Sequence, residues 1–293
     1  MPTLKKTVLS ATVLVLSLLV GATHAALNIE ITQGVEGAVP VAVAPFKWTG
    51  PEPRPPQDIA GIINKNLARS GRFAPLPAKD MLARPDSDSE INFKNWRLIG
   101  SDYLVAGNID YQGGDRYKIR FRIYDIFKGK QLDGYTMSVS GTRLRRAAHH
   151  ASDIIYEALT GEPGAFNTEV AYVTASGVGK QRRYTLWVAD SDGHNAQALM
   201  NSDEPILSPS WSPDGKRLAY SSLEDDGHQV VFIQEVASGR RQLVSSNLGL
   251  NGAPSWSPDG KSLALSLSKD GNPEIYVIDL GSKKVRRITR HWA

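Results

Sequence analysis

The sequence Trp211-Ser212-Pro213-Asp214-Gly215-Lys216 returns 45 residues later as Trp256-Ser257-Pro258-Asp259-Gly260-Lys261. Other positions keep nearly the same spacing. Three aromatic residues repeat in phase with this motif, each followed three positions later by an acid: Trp187 and Asp190, Phe232 and Glu235, Tyr276 and Asp279. A period of this length is typical of repeat architectures, in which each unit buries its apolar face only against a neighbour.

Each repeat contains short β-prone segments separated by turn residues. In the second repeat, Leu218–Ser221 and Val230–Ile233 flank the turn residues Asp226 and Gly227. This order predicts an antiparallel meander. Because four strands in about 45 residues is the size of one β-propeller blade, we predict an incomplete, WD40-like propeller with Ser-Pro-Asp-Gly repeats over residues 165–293.

The Ser-Pro-Asp-Gly motif has a structural explanation. Proline presets φ for the first turn position, aspartate accepts a hydrogen bond from a nearby backbone N–H, and glycine adopts a positive φ. The tryptophan before it is a large apolar residue that can pack between blades. The motif therefore predicts a turn and an inter-blade contact rather than a reactive site.

The N-terminus has the pattern of a secretory signal. Lys5 and Lys6 precede an apolar stretch of 13 residues, Val8–Val20, and small residues follow it. This pattern predicts cleavage between Ala25 and Ala26. The stretch is too short for a membrane-spanning anchor, so we expect export without direct membrane insertion.

Composition excludes several function classes. Losing Lys5 and Lys6 with the signal lowers the formal net charge from +4 to +2, so the exported chain is nearly neutral. This balance gives no indication of a nucleic-acid partner. The chain contains no cysteine, which excludes disulfides, iron–sulfur clusters and cysteine-ligated zinc.

Residues 26–164 lack the repeat and predict a separate domain. Helical spacing of Ile59, Ile62, Ile63 and Leu67 follows a candidate cap, Asp58, and precedes Gly71; a longer helix is predicted over 142–159. Candidate strands are Val39–Ala44, Tyr103–Ala106, the alternating segment Tyr117–Ile123 and its hairpin partner Tyr135–Ser140. The overall prediction is an α+β, two-domain chain: an α/β domain of two helices on a mixed sheet, an arm at 26–37, a linker at 161–168 and the propeller.

No constellation predicts catalysis, a metal or a cofactor. His149 and His150 are adjacent on the long helix and diverge by about 100°, so we expect a solvated or boundary position. Arg143, Arg145 and Arg146 begin the same helix; a solvated face is expected, with a partner contact as the alternative. Asp190-Ser191-Asp192-Gly193 lacks the spaced acids of a calcium loop and predicts a turn. We therefore expect a non-enzyme.

The chain resembles the TolB family, the periplasmic component of the Tol–Pal envelope system. The resemblance is carried by four segments: Gly37–Phe46, Asp58–Phe73, His150–Phe166 and Asn251–Pro254. The Ser-Pro-Asp-Gly motif alone occurs in many bacterial propellers, but a signal, an α/β domain and these repeats in this order are specific.

The resemblance implies an adaptor function. Proteins of this family bind the outer-membrane lipoprotein Pal through one face of a six-bladed propeller, and TolA through their N-terminal segment. Other outer-membrane proteins are further possible partners. These contacts support outer-membrane integrity and constriction at cell division.

The family's binding residues map onto two parts of this chain. The implied TolA-binding arm is Ala26, Leu27, Asn28, Ile29, Glu30 and Ile31. Its alternating apolar residues suit addition to a partner's sheet, although they also suit a strand of the chain's own domain. The implied Pal-binding face lies in the loops 205–208 and 250–253 and comprises Pro205, Leu207, Leu250, Asn251 and Ala253.

One departure from the family pattern concerns length. Six blades of about 45 residues would end near residue ~435, whereas the sequence ends at Ala293 within its third repeat. We expect either a fragment or completion of the ring by a partner, such as a second copy. Two other functions remain open: a propeller that gates a serine peptidase, and a periplasmic propeller that binds a small ligand.

Overall fold

The computed structural model describes residues 37–85 and 87–291. A mixed sheet of six strands forms the N-terminal part: β1 (Val39–Val43), β2 (Lys47–Thr49), β3 (Phe73–Pro75), β4 (Tyr103–Tyr111), β5 (Arg116–Asp125) and β6 (Lys130–Ser140). The strand order is β3-β1-β4-β5-β6, and β2 also pairs with β4. The pairings of β1 are parallel, whereas β4, β5 and β6 form an antiparallel meander. The predicted mixed sheet is confirmed.

In the described part of the chain, three α-helices pack on this sheet: α1 (Ile59–Arg69), α2 (Phe93–Leu98) and α3 (Leu144–Thr160). Helix α1 begins where the Asp58 carboxylate accepts the Gly61 N–H at 3.0 Å, and α3 ends at Gly161 with φ 78°. Both predicted helices are present. Helix α2 is not predicted by the sequence pattern, because its six residues bury only Trp96 and show no helical periodicity.

The sheet has a core on each face. Helices α1 and α3 cover one face, where Ile119, Phe121 and Ile123 of β5 point into the larger core. Helix α2 covers part of the other face, and Trp96 and Tyr124 are buried there. The alternation along β5 therefore separates two layers, as expected for a period of two.

The C-terminal part consists of three antiparallel sheets. The first contains β7 (Glu169–Ser176), β8 (Arg183–Asp190) and β9 (Gln197–Ser202). The second contains β10 (Ile206–Trp211), β11 (Arg217–Asp225), β12 (His228–Glu235) and β13 (Arg241–Ser245). The third contains β14 (Asn251–Trp256), β15 (Ser262–Leu267), β16 (Glu274–Asp279) and β17 (Val285–Arg287). These open, unclosed sheets confirm the predicted propeller repeats.

The first sheet has one strand fewer than the others. Phe232 and Tyr276 lie on β12 and β16, the third strands of their sheets, and Trp187 lies on β8. By this alignment β7 corresponds to β11. Within the described part of the chain, the first sheet therefore has no counterpart of β10, the first strand of the second sheet.

The Ser-Pro-Asp-Gly turns form as predicted. Gly215 and Gly260 have φ values of 66° and 67°. Asp214 accepts the Lys216 N–H at 3.1 Å, and the third repeat repeats this bond. Trp256 donates its indole N–H across to the Ser210 carbonyl of the second sheet at 3.1 Å. The motif thus closes a turn and joins neighbouring blades.

Consecutive propeller sheets share apolar cores. Ala219 and Val231 of the second sheet are buried together with Leu263, Leu265 and Tyr276 of the third. A second core joins the first and second sheets in the same way. None of the helices between residues 37 and 291, Asp86 aside, is both long and apolar enough to cross a membrane.

Candidate functional site

The start of helix α3 meets the end of strand β8 at the junction between the two domains. The Arg145 guanidinium bonds the Asp192 carboxylate, and its Nε lies 3.4 Å from Asp190 Oδ2. All three side chains are largely buried, with exposed fractions of 17%, 18% and 21% for Arg145, Asp192 and Asp190. A cation of the α/β domain therefore compensates two carboxylates of the first propeller sheet.

The linker between the domains is also held in place. Asp153 of α3 accepts the backbone N–H groups of Phe166 and Asn167 at 2.6 and 3.1 Å. A Cβ at Gly164 would lie 2.5 Å from Asp153 Cα, so this close approach requires glycine. Ser191 donates to the Phe166 carbonyl and accepts from Arg69 of α1. The linker is thus tied to both domains.

His149 lies beneath this ion-pair cluster and is only 2% exposed. Asn66 of α1 donates to His149 Nδ1 and to Ser152 Oγ, both at 2.9 Å. Ser152 in turn donates to the Ala148 carbonyl, so Asn66 must present its NH₂ group. The neutral imidazole therefore carries its proton on Nε2, which has no hydrogen-bond partner among the described residues and lies 3.8 Å from Asp192 Oδ2.

These positions correct two predictions from the sequence. His149 is buried rather than solvated or at a boundary, and Arg145 faces the propeller rather than solvent. Their neighbours Arg143, Arg146 and His150 are exposed, as expected. The physical reason is tertiary: the first propeller sheet covers a polar stripe of α3 that the helix sequence alone marks as solvent-facing.

The cluster also has the residue types of a metal site. One ligand atom each of His149, Asp190 and Asp192 lies within 4.8 Å of the others. However, Nε2 carries the imidazole proton, and metal ligation requires a deprotonated nitrogen. Arg145 already neutralises the carboxylates. The arrangement therefore suits an ion-pair network that joins the two domains better than it suits a bound metal ion.

The junction network is expected to lose stability as the pH falls below about 6.5. Burial lowers the pKa of His149 below its ordinary value, Asp192 partly opposes this, and Arg145 adds to it. The unfolded chain then binds a proton before the folded chain does, so acidification favours unfolding. The stabilisation is complete above about pH 6.5 and declines as the pH approaches the lower pKa of the folded state.

Urea unfolding between pH 7.5 and 5.5 measures this effect. Asp192 stays charged across that window, because the neighbouring His194 N–H and Arg145 lower its carboxyl pKa despite burial. His149→Gln should flatten the pH dependence, whereas the exposed His150→Gln should retain it. An unchanged slope in His149→Gln would refute the assignment.

The predicted propeller face lies partly on strands and partly in loops. Leu207 lies on β10, and Asn251 and Ala253 lie on β14, whereas Pro205 and Leu250 immediately precede these strands. Leu207 is 44% exposed and Leu250 36% exposed. Ala253 is also exposed, and Pro205 is half-buried. Four of the five residues implied by the family resemblance are thus accessible to some extent.

Asn251 is the exception, since it is fully buried. Its amide oxygen accepts from the Ser245 hydroxyl at 2.7 Å and from the Asn247 N–H at 3.1 Å. Its NH₂ group donates to the carbonyls of Asn247 and Gly249. The side chain therefore organises the turn before β14 and offers no group to a partner.

Strands β10 and β14 contain a bulge at the same place. The register shifts after Leu207 in β10 and after Gly252 in β14. Ser208 and Ala253 have positive φ values of 51° and 48°, and each precedes a proline. A proline has no N–H to pair and is common at bulges, whereas a positive φ strains a residue with a Cβ.

Replacing Ala253 with glycine is expected to stabilise the protein by about 0.5 kcal/mol. Relief of the left-handed strain, roughly 1–2 kcal/mol, exceeds the added unfolded-state entropy of glycine, roughly 0.4–1 kcal/mol. Thermal unfolding measures the effect. Ala198→Gly on strand β9, where φ is negative, is the matched control and should destabilise. Equal destabilisation by both changes would contradict the strain argument.

The predicted arm and cleavage site lie outside the described residues. This applies to Ala26–Ile31 and to the bond between Ala25 and Ala26. The role of Asn66, which organises the junction, was also not predicted from the sequence. One signal could have revealed it: a polar residue within the apolar stripe formed by Ile59, Ile63 and Leu67 of α1.

An α/β domain fastened by an ion-pair cluster to a series of antiparallel sheets defines a class of two-domain, propeller-containing proteins. Two sequence profiles match the chain in succession. The TolB amino-terminal domain matches residues 27–132, and the TolB beta propeller domain matches residues 156–293. The chain belongs to the TolB family.

Relatives agree with this assignment. Proteins named Tol-Pal system protein TolB from Thioalkalivibrio sulfidiphilus and Nitrosococcus oceani are 48% and 49% identical over 228 and 230 residues. Each alignment covers 78% of this chain and 52% of the relative. The crystal structure of TolB from Acinetobacter baumannii is similar with a TM-score of 0.77 and 37% identity, covering 89% of this chain and 62% of that chain. The chain spans about half the length of the curated relatives it matches.

Proposed function

We propose that this protein is a non-catalytic, periplasmic adaptor of the Tol–Pal system. It binds the lipoprotein Pal through the propeller and TolA through the arm Ala26–Ile31, and thereby supports outer-membrane integrity and constriction at cell division. Residues 1–25 act as the signal peptide, 26–164 as the α/β domain and 165–293 as the propeller repeats. The curated relatives carry the Tol-Pal system name, which supports the assignment.

The observation that carries this proposal is the succession of both TolB domains with a tight junction between them. An adaptor must transmit force or position between two partners, which requires that its binding modules be fixed to each other. Arg145, Asp153 and Ser191 supply such fixation through side chains of one domain and the turn or linker of the other. Exposed Leu207 and Leu250 give the propeller an apolar contact.

Titration of the full chain with the soluble domain of Pal tests the propeller part. The double variant Leu207→Asp with Leu250→Asp should weaken binding by about a hundredfold, because buried apolar anchors dominate interface energies. Leu98→Asp is a matched control, since Leu98 is 84% exposed on the α/β domain. Equal affinity of all three proteins would reject the assigned face, and no binding of the unmodified chain would reject Pal as its partner.

Deletion of residues 26–31 tests the arm. The shortened protein should lose affinity for the periplasmic domain of TolA and retain its affinity for Pal, because strand addition depends on the main chain and alternate side chains of the added segment. Circular dichroism should show an unchanged fold. Full TolA affinity after the deletion would show that the arm is not the contact.

A further inference from the structure

The outer edge of the six-stranded sheet is a long, unprotected strand. Strand β6 has 11 residues and pairs with β5 on one side only, at the end of the described sheet. From Gly134 to Ser140 it contains no charged residue and no proline. Such residues normally protect edges, because unpaired main-chain groups accept another strand. The opposite edge, β3, is three residues long and ends at Pro75.

Basic side chains line one face of this edge. Four basic residues of β5 share the face that helices α1 and α3 leave open: Arg116, Lys118, Arg120 and Arg122. Their cross-strand neighbours on β6 are small and uncharged, in the same order Ser140, Ser138, Thr136 and Gly134. Arg120 pairs with Asp110 at 2.7 Å. Arg116 and Lys118 have no ion pair with any described residue.

The spacing of strands lets these cations reach beyond β6. Neighbouring strands lie about 4.8 Å apart, so a strand added to β6 would run about 10 Å from β5. An extended basic side chain and an opposing glutamate together span that distance. The small residues of β6 leave the path between them open. Arg116 and Lys118 would therefore meet acidic residues of an added strand.

The other face of the edge is apolar. Tyr135, Met137 and Val139 of β6 are half-buried and pack against the larger core. Residues of an added strand that point to this side would extend that core. Because side chains alternate between the two faces of a strand, the complementary sequence alternates acidic and apolar residues.

We propose that the β6 edge binds an extended segment of a partner protein in which acidic and apolar residues alternate. The added strand gains main-chain hydrogen bonds from β6 and specificity from the two faces. A second copy of this chain is a poor occupant, since paired β6 edges would bring two basic stripes together. The arm is also a poor occupant, because only two of its twelve residues, Glu30 and Glu36, are acidic.

A labelled nine-residue peptide of alternating glutamate and valine, blocked at both ends, tests the proposal on the full chain. Fluorescence anisotropy should detect binding that weakens as salt rises, and hydrogen exchange should slow in β6. Arg116→Glu with Lys118→Glu should weaken binding at least about tenfold. Lys284→Glu with Arg286→Glu is the control, because it makes the same charge change at exposed positions of β17 and its preceding turn and should leave binding unchanged.

Four results would overturn the proposal. The first is no binding at about millimolar peptide, and the second is equal binding of a lysine–valine peptide. The third is tenfold tighter binding after deletion of residues 26–36, which would assign the edge to the arm. The fourth is a dimer on a sizing column that the peptide dissociates, which would assign it to a second copy. The titrations with Pal and TolA, which test the proposed function, do not depend on any of these four results.

Discussion

Replacing Arg145 with alanine is expected to lower the free energy of unfolding by about 3 kcal/mol. The change leaves Asp190 and Asp192 without their cation while the first propeller sheet still covers them. Removing one partner of a buried ion pair costs roughly 3–5 kcal/mol, because the remaining charge stays desolvated. We expect the lower end, since the carboxylates retain some solvent contact. Urea unfolding measures the loss.

The next residue on the helix provides the control. Arg146 forms an ion pair with Glu169, but its side chain is 65% exposed. Exposed pairs contribute roughly 0–1 kcal/mol, so Arg146→Ala should change stability little. Combining Arg145→Ala with Asp190→Asn and Asp192→Asn should recover part of the loss. Equal effects of Arg145→Ala and Arg146→Ala would show that the junction cluster does not stabilise the fold.

Replacing Leu263 with alanine is expected to cost about 3 kcal/mol and to loosen the third propeller sheet selectively. Leu263 is fully buried on β15, in a core shared with Ala219 and Val231 of the preceding sheet. Truncating a buried leucine costs roughly 2–5 kcal/mol, through lost transfer energy and the cavity left behind. Urea unfolding gives the loss, and faster hydrogen exchange in strands β14 to β17 would locate it.

Ile275→Ala is a suitable comparison in the same sheet. Ile275 is 41% exposed on β16, so its truncation should cost less than about 1 kcal/mol. Faster exchange in β4 and β5 of the α/β domain would contradict the selective effect, because it would mean that the two domains unfold as one unit. Similar losses for both substitutions would contradict the shared core between blades.

Local patterns predicted most of the elements. The period set by Trp211 and Trp256 identified the blades, and alternation along Tyr117–Ile123 identified a half-buried strand. Asp58 caps the start of α1 as expected, and Gly161 ends α3. The alternation and the helix caps act within a few residues, where hydrogen bonding and steric preference decide the backbone, and the period is visible because the same local motif recurs. Short elements such as α2 and β3 were not predicted, because they contain too few residues for a periodic pattern.

The candidate sites were harder to predict. The sequence pattern placed Asn251 in an exposed loop. In the structure, both ends of its side-chain amide form hydrogen bonds within the turn before β14. His149 and Arg145 read as solvent-facing, because the residues that cover them, Asp190 and Asp192, lie more than 40 positions away in the chain. A local sequence pattern does not predict which distant carboxylate will contact a given face of a helix.

The sequence by itself determined the repeat, the turn at each Ser-Pro-Asp-Gly motif and the division into an α/β part and a propeller part. These features depend on period and local backbone preference. Only the tertiary structure decided that polar residues of α3 become buried in an ion-pair network at the domain junction. It also decided that β6 forms an edge of the described sheet, beside two cations that pair with no described carboxylate. Burial and pairing of charges depend on which surfaces meet, because the cost of desolvation is set by atoms brought together from distant parts of the chain.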